Sequence, residues 1–135
     1  MADMTAVTFE EMEPLFDGIA RRARATLGVT AWGMQLMTLP PNWDGYPNHR
    51  HDASMEEANQ EEVYIPIAGS GRLHADDTTV ELRPGMMVRV GPEQLRKIVP
   101  GPEGLRFVAL GGVPGSYSPA PWSELGGPLP VPAGA

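Results

Sequence analysis

The sequence predicts a small all-β domain, and three observations carry that prediction. Sixteen Gly and fifteen Pro in 135 residues punctuate the chain too often for long helices and suit many brief strands. From Thr30 onward the apolar residues recur with a period of two. At least six such segments follow at a spacing of roughly 8–12 residues, the pattern of a sandwich or barrel. A chain of this length fits one domain and can bury a core without disulfide or metal staples.

Residues 8–28 are the exception and read as a helix. Thr8 followed by Glu11 has the form of a capping box. Leu15, Ile19 and Ala23 recur every fourth residue, as do Phe16 and Ala20, which gives one apolar side. Arg21, Arg22 and Arg24 fall near the C-terminal end, where cations favour the macrodipole, and Gly28 is a natural stop. Pro14 requires a short first turn, a break, and then helix from Pro14 onward. This segment, 1–28, is expected to pack against a barrel formed by 29–113.

Within the barrel, Ala31–Leu39 reads as a strand stopped by Pro40-Pro41, and residues 42–60 are polar and irregular. Val63–Ile67 is a second strand, with Pro66 implying an edge or a bulge. Gly69-Ser70-Gly71 is expected to turn the chain into Arg72–Ala75. Asp76-Asp77 turns it into Thr79–Leu82, and Arg83-Pro84-Gly85 into Met86–Val90. Arg96–Val99 and Leu105–Leu110 complete the set, divided by Pro100-Gly101-Pro102-Glu103-Gly104. Residues 114–135 form a Gly/Pro-rich tail, whose last eight or so residues are expected to be loose. Tyr117 and Trp122 are candidates to pin its first half.

Composition excludes several functions. Ten Lys plus Arg against seventeen Asp plus Glu give a net charge of −7, which disfavours nucleic acid and anionic membranes as partners. The absence of cysteine rules out disulfides and thiolate metal sites. Residues 1–8 carry no basic cluster or apolar run of a secretory signal, so a cytoplasmic location is the expectation. No apolar stretch approaches the ~20 residues of a membrane span. Neither a Ser-His-Asp order, nor a Gly-rich phosphate loop, nor a nucleophile motif is visible.

The chemistry concentrates at His49-Arg50-His51. In an extended chain both imidazoles point to one face, and two imidazoles plus a carboxylate suit Zn, Fe, Ni or Mn. Glu62, heading a strand, is the natural third ligand. His74 is expected to be solvent-facing or satisfied by a neighbour. Met34, Met37, Met86 and Met87 are expected to fill the barrel, and Trp32, Tyr64 and Phe107 to pack in the core, with the lining of a pocket wall as their alternative. Glu56, Glu57 and Glu61 read as a solvated loop face.

His49 to Gly71 resembles the first signature of the cupin superfamily: glycine, five residues, H-x-H, three or four residues, glutamate, six residues, glycine. Glu62 and Gly69 have the required separation. Trp43 stands where the leading glycine belongs, with Gly45 close by. Ten residues lie between His51 and Glu62, so residues 52–61 are expected to bulge as a loop. The second signature, counted from Gly85, lands on Gly91, Glu93, Arg96 and Pro100, so its length fits while Arg96 replaces the fourth ligand, a histidine. The resemblance covers about residues 31–112 and is closest to small bacterial cupin-2-type proteins. It implies a double-stranded β-helix (a jelly-roll-like barrel), a small-molecule pocket and a likeness to proteins that often form homodimers.

Arg96 divides the functional expectation, because a guanidinium stays protonated and cannot coordinate a cation. His49, His51 and Glu62 can still hold a metal with open positions, Arg96 turning away or greeting an anionic substrate. Alternatively no metal binds, Arg96 pairs with Glu62 or Glu61, and a pocket floored by His49, His51, Glu62 and Arg96 holds a small organic anion through Arg96 and the histidines. In a third reading the polar groups simply satisfy one another. The functional expectation is thus a barrel that binds a small, anionic molecule over a degenerate or three-ligand metal site. The alternative is a metal-dependent enzyme of dioxygenase or isomerase type.

Overall fold

The computed structural model describes residues 2–52 and 59–117. Among the described residues seven antiparallel strands form the framework: β1 (Pro14–Leu15), β2 (Ala20–Arg21), β3 (Gly33–Leu39), β4 (Glu61–Ala75), β5 (Thr78–Leu82), β6 (Val88–Val90) and β7 (Lys97–Gly112). Their order is β1-β2-β3-β7-β4-β5, with β6 also paired to β4. The long ribbons β4 and β7 pair with each other over most of their length and organise the barrel.

The barrel interior is filled from alternate positions. Leu39, Tyr46, Tyr64, Leu73, Leu82, Val90, Ile98, Leu105 and Phe107 form the main cluster, and Met12, Ala23 and Leu36 a second one under the N-terminal segment. Tyr64 and Phe107 are fully buried, as expected. Trp32 instead is about half exposed and Met87 is exposed, while Met37 and Met86 pack on the main cluster.

Two of the expected turns are not turns. Gly69-Ser70-Gly71 and Pro100–Gly104 lie inside the continuous strands β4 and β7, opposite one another. Gly71 pairs with Pro100 and Gly69 with Leu105, so four residues of β7, 101–104, face Ser70. The bulge changes which side chains point inward. In β4 the buried residues are Tyr64 and Pro66 before it and Gly71 and Leu73 after it. In β7 they are Ile98 and Pro100 before it and Leu105 and Phe107 after it. Each ribbon thus switches from even to odd inward positions, which bends the sheet into a corner. Gly69 has φ 79°, and a Cβ there would lie 2.1 Å from the Gly104 carbonyl oxygen. Pro66 pairs with Phe107 beside a register shift, and lies between the β4 segments that pair with β6 and β5. The bulge or edge expected from its missing amide is therefore found.

The N-terminal segment corrects the helix expected over 8–28. A 3-10 turn at Phe9–Glu11 leads into the β1–β2 hairpin, and only Ala23–Leu27 is α-helical (α1), closed by Gly28 at φ 83°. Thr8 bonds to the Glu11 side chain (3.0 Å) without capping the backbone. Pro14 offers no amide, and Asp17-Gly18 supplies the left-handed turn; Phe16, Asp17 and Gly18 all have positive φ. β2 pairs with β3, and Arg21 Nη1 donates to the Met12 carbonyl at 2.9 Å, so tertiary pairing overrides a helical apolar period. No helix of the described residues is long and apolar enough to cross a membrane. Trp122, Glu56, Glu57 and the expected loose end of the tail lie outside the described residues.

Candidate functional site

The site is assembled by backbone pairing before any side chain is considered. His49 and Arg96 form an isolated antiparallel bridge: each amide donates to the other's carbonyl at 2.9 Å. Residues paired in this way stand directly opposite and share a face, which brings position 96 into the site. His51 keeps the same face two residues on, with its amide donating to the Pro92 carbonyl at 2.9 Å. Glu62 sits in β4 between Val90 of β6 and Gly111 of β7. Gly111 makes room there, since a Cβ would come within 2.8 Å of the Gln60 side chain.

The side chains converge on one oxygen, Glu62 Oε1. His51 Nε2 lies 3.1 Å from it and His49 Nε2 3.8 Å. Tyr64 OH donates to it at 2.7 Å, and Arg96 Nη2 makes a short ion pair with the same oxygen. Arg96 Nε donates to Tyr64 OH at 3.1 Å, and Arg96 Nη1 to the Gln94 carbonyl at 2.9 Å. The Arg96 side chain is 0% exposed. His49 Nδ1 meets the Pro47 carbonyl at 3.0 Å; a carbonyl only accepts, so the neutral ring keeps its lone pair on Nε2, towards Glu62. The Tyr46 ring packs on His49 with centroids 5.4 Å apart.

This arrangement fixes the charges. Burial works against ionisation of Glu62, but the hydrogen bond from Tyr64 and the charges of Arg96 and of a protonated His51 outweigh it. The carboxyl is held down to about 2. Burial pushes Tyr46 up to about 12, with the Glu62 charge adding to the effect, and raises Tyr64 as well. Arg96 loses hydration, yet its bonds to Tyr64 and Glu62 more than offset that and raise its pKa.

Above Glu62 opens a cavity of about 730 Å³. His49, His51 and Glu62 line it with Gln60, while Trp43, Met34, Met37 and the β1–β2 hairpin form its walls. The expected convergence of His49, His51 and Glu62 is therefore found. The expectation that Arg96 greets a guest is not met. Its guanidinium is sealed inside the barrel, outside the lining of the cavity, and pairs with Glu62 rather than Glu61. Glu61 pairs with Arg89 at 2.7 Å. His74 bonds Thr79 at 3.0 Å on the surface, as expected of a satisfied histidine. Tyr64, expected in the core with a pocket wall as the alternative, is a functional neighbour of Glu62; its place two residues after Glu62 in one strand is the signal that reveals it. Tyr46, Arg22 and Arg24 have no such signal, because a loop and the hairpin bring them in.

The donor set fits a divalent metal. The three donor atoms lie within 4.8 Å of one another, and the lone pair of His49 Nε2 is already aimed at the group. Ligands at ~2.0–2.2 Å from a shared ion stand ~3.0–3.5 Å apart, and the two histidine-to-Glu62 separations, 3.1 and 3.8 Å, lie near that range. The opposing factor is Arg96, a cation bonded to the same carboxylate oxygen.

No protein-family model and no curated protein matches the sequence. Solved structures do match the fold. A cupin protein from Bacteroides fragilis superposes with a TM-score of 0.68 at 20% identity, covering 96% of this chain and 100% of the other. A predicted oxalate decarboxylase from Thermotoga maritima gives 0.62 at 19%, over 81% and 99%. A sugar phosphate isomerase of the cupin superfamily from Silicibacter pomeroyi gives 0.57 at 21%, over 68% and 57%. The chain therefore has the cupin fold, a jelly-roll β-barrel with one short α-helix among the described residues, and carries a two-histidine, one-carboxylate group within it.

Proposed function

We propose that this chain binds a small molecule in its barrel cavity, against a floor of His49, His51 and Glu62 that also takes a divalent metal. The observation that carries the proposal is the convergence of those three donors, within 4.8 Å, on the floor of a 730 Å³ cavity. Cavities of ~300–1,000 Å³ accommodate small organic ligands. Arg96 and Tyr64 act from behind, holding the Glu62 carboxylate ionised and aimed. A metal bound there supplies a Lewis acid for a carbonyl or carboxylate oxygen; the chain's own residues orient the guest and exclude water from it. Native mass spectrometry of freshly purified protein is the test. It is expected to show a small guest that leaves on denaturation and is missing from His51→Ala. A protein free of any guest, whose melting no small molecule raises, contradicts the proposal.

A metal-dependent enzyme, of isomerase or dioxygenase type, is the second reading, favoured by the donor set itself and by fold neighbours described as an isomerase and a predicted decarboxylase. Fold alone does not select a reaction. Elemental analysis separates the readings. Stoichiometric Fe, Ni, Mn or Zn that disappears in His49→Ala supports the enzyme, and protein that stays metal-free after incubation with each cation contradicts it. We further propose a cytoplasmic homodimer, with the sheet ends β1 and β5 supplying edges for a second copy. A sedimentation mass of one chain at micromolar concentration contradicts that assembly.

A further inference from the structure

The cavity carries charge of the opposite sign to the molecule. The chain is net −7, yet the ionised side chains lining the cavity are Arg22, Arg24 and Glu62, a balance of 2 − 1 = +1 with the histidines neutral. Glu62 is compensated from behind by Arg96, and of the two arginines lining the cavity only Arg22 has a carboxylate partner among the described residues. Both lie beside the β1–β2 hairpin, Arg22 just before α1 and Arg24 within it. Arg22 pairs with Glu13 at 3.0 Å, an exposed bridge of the kind that contributes little and exchanges readily for another carboxylate. Arg24 Nη1 donates to the Val29 carbonyl at 3.1 Å, and among the described residues no carboxylate pairs with it.

The walls are apolar: Phe16, Ile19, Met34, Met37 and Trp43. Trp43 is held in place by Gly45, where a Cβ would lie 2.2 Å from the indole, so only glycine admits the ring there. Phe16, at φ 53°, is 76% exposed in the hairpin turn that lines the same cavity. An aromatic side chain at a conformation it rarely adopts, and largely in water, is suited to covering an apolar guest.

Resting on the small-molecule reading above, we infer that the guest is an amphipathic organic anion. Its charge meets Arg22 and Arg24, and an apolar body of at least ring size lies along Trp43, Met34 and Met37. A carboxylate fits either guanidinium, each of which presents flat, bidentate donors. Anion recognition is thereby assigned to the hairpin–helix side of the cavity and away from Arg96.

Calorimetric titration of the metal-free full chain with phenylbutanoate, its neutral amide phenylbutanamide, and acetate tests this. The acid is expected to bind about tenfold more tightly than either comparator. The double variant Arg22→Gln, Arg24→Gln is expected to remove the acid's advantage over the amide while leaving amide binding unchanged. Equal binding of acid and amide by the wild type overturns the inference but leaves the cavity reading intact. So does an advantage that survives the double variant and vanishes in His49→Ala, since the anion then sits on the floor. Failure of every probe to bind also overturns it. The cavity reading falls with it only if the purified protein carries no guest as well.

Discussion

Glu62 Oε1 receives Tyr64 OH, Arg96 Nη2 and His51 Nε2 together, so the carboxylate can neither rotate nor protonate without breaking several bonds. Its folded-state pKa of about 2 lies below the ordinary 4.5. A lowered carboxylate pKa contributes stability that is fully present above about pH 4.5 and is lost as the pH falls towards about 2. The size follows from the shift and is about 3 kcal/mol. Urea unfolding of metal-free wild type and Glu62→Gln is therefore expected to show a gap that narrows on acidification; a gap that widens contradicts the assignment. Arg96 is the reciprocal case. Removing it in Arg96→Ala strands a buried carboxylate and a buried phenol, and is expected to cost about 3–5 kcal/mol in the same measurement. A cost under about 1 kcal/mol shows that water replaces the guanidinium readily.

At the scale of elements, the corner between β4 and β7 decides the shape of the barrel. Gly69→Ala places a Cβ against the Gly104 carbonyl at a left-handed position, and is expected to lower Tm on the order of 10 °C. Gly112→Ala, where a Cβ meets nothing within 4 Å, is the control and is expected to shift it little. The same corner shows what a sequence conceals. Gly69-Ser70-Gly71 and Pro100–Gly104 have the composition of hairpin turns, and only the facing strand reveals them as two halves of one bulge. The N-terminal segment fails for the converse reason. Leu15, Ile19 and Ala23 keep a helical spacing, but Pro14 and Asp17-Gly18 carry the stronger local instruction, and β3 offers the paired edge that a hairpin needs. The strand spacing, Pro66 and the Asp76-Asp77 turn were legible because each is a local preference that long-range pairing leaves in place.

At the scale of the molecule, the site was legible in part. H-x-H followed by Glu62 requires only strand geometry and one correct pairing, and the fold supplies both. The role of Arg96 was not legible, because its direction depends on a bridge to His49 and on Tyr64, which together draw the guanidinium into the barrel and away from the cavity. The result is a floor with a metal's donor set whose carboxylate is shared with a fixed internal cation. The cavity walls come from the hairpin, whose Phe16, Arg22 and neighbouring Arg24 belong to a segment outside both signature motifs. A divalent metal bound on this floor therefore has to compete with Arg96 for Glu62. Calorimetric titration of Mn²⁺ and Zn²⁺ into metal-free wild type and Arg96→His tests it most directly. The wild type is expected to bind weakly, and Arg96→His at least about tenfold more tightly, a gain that is lost again when His51→Ala is added. Equal affinity in wild type and Arg96→His would contradict it.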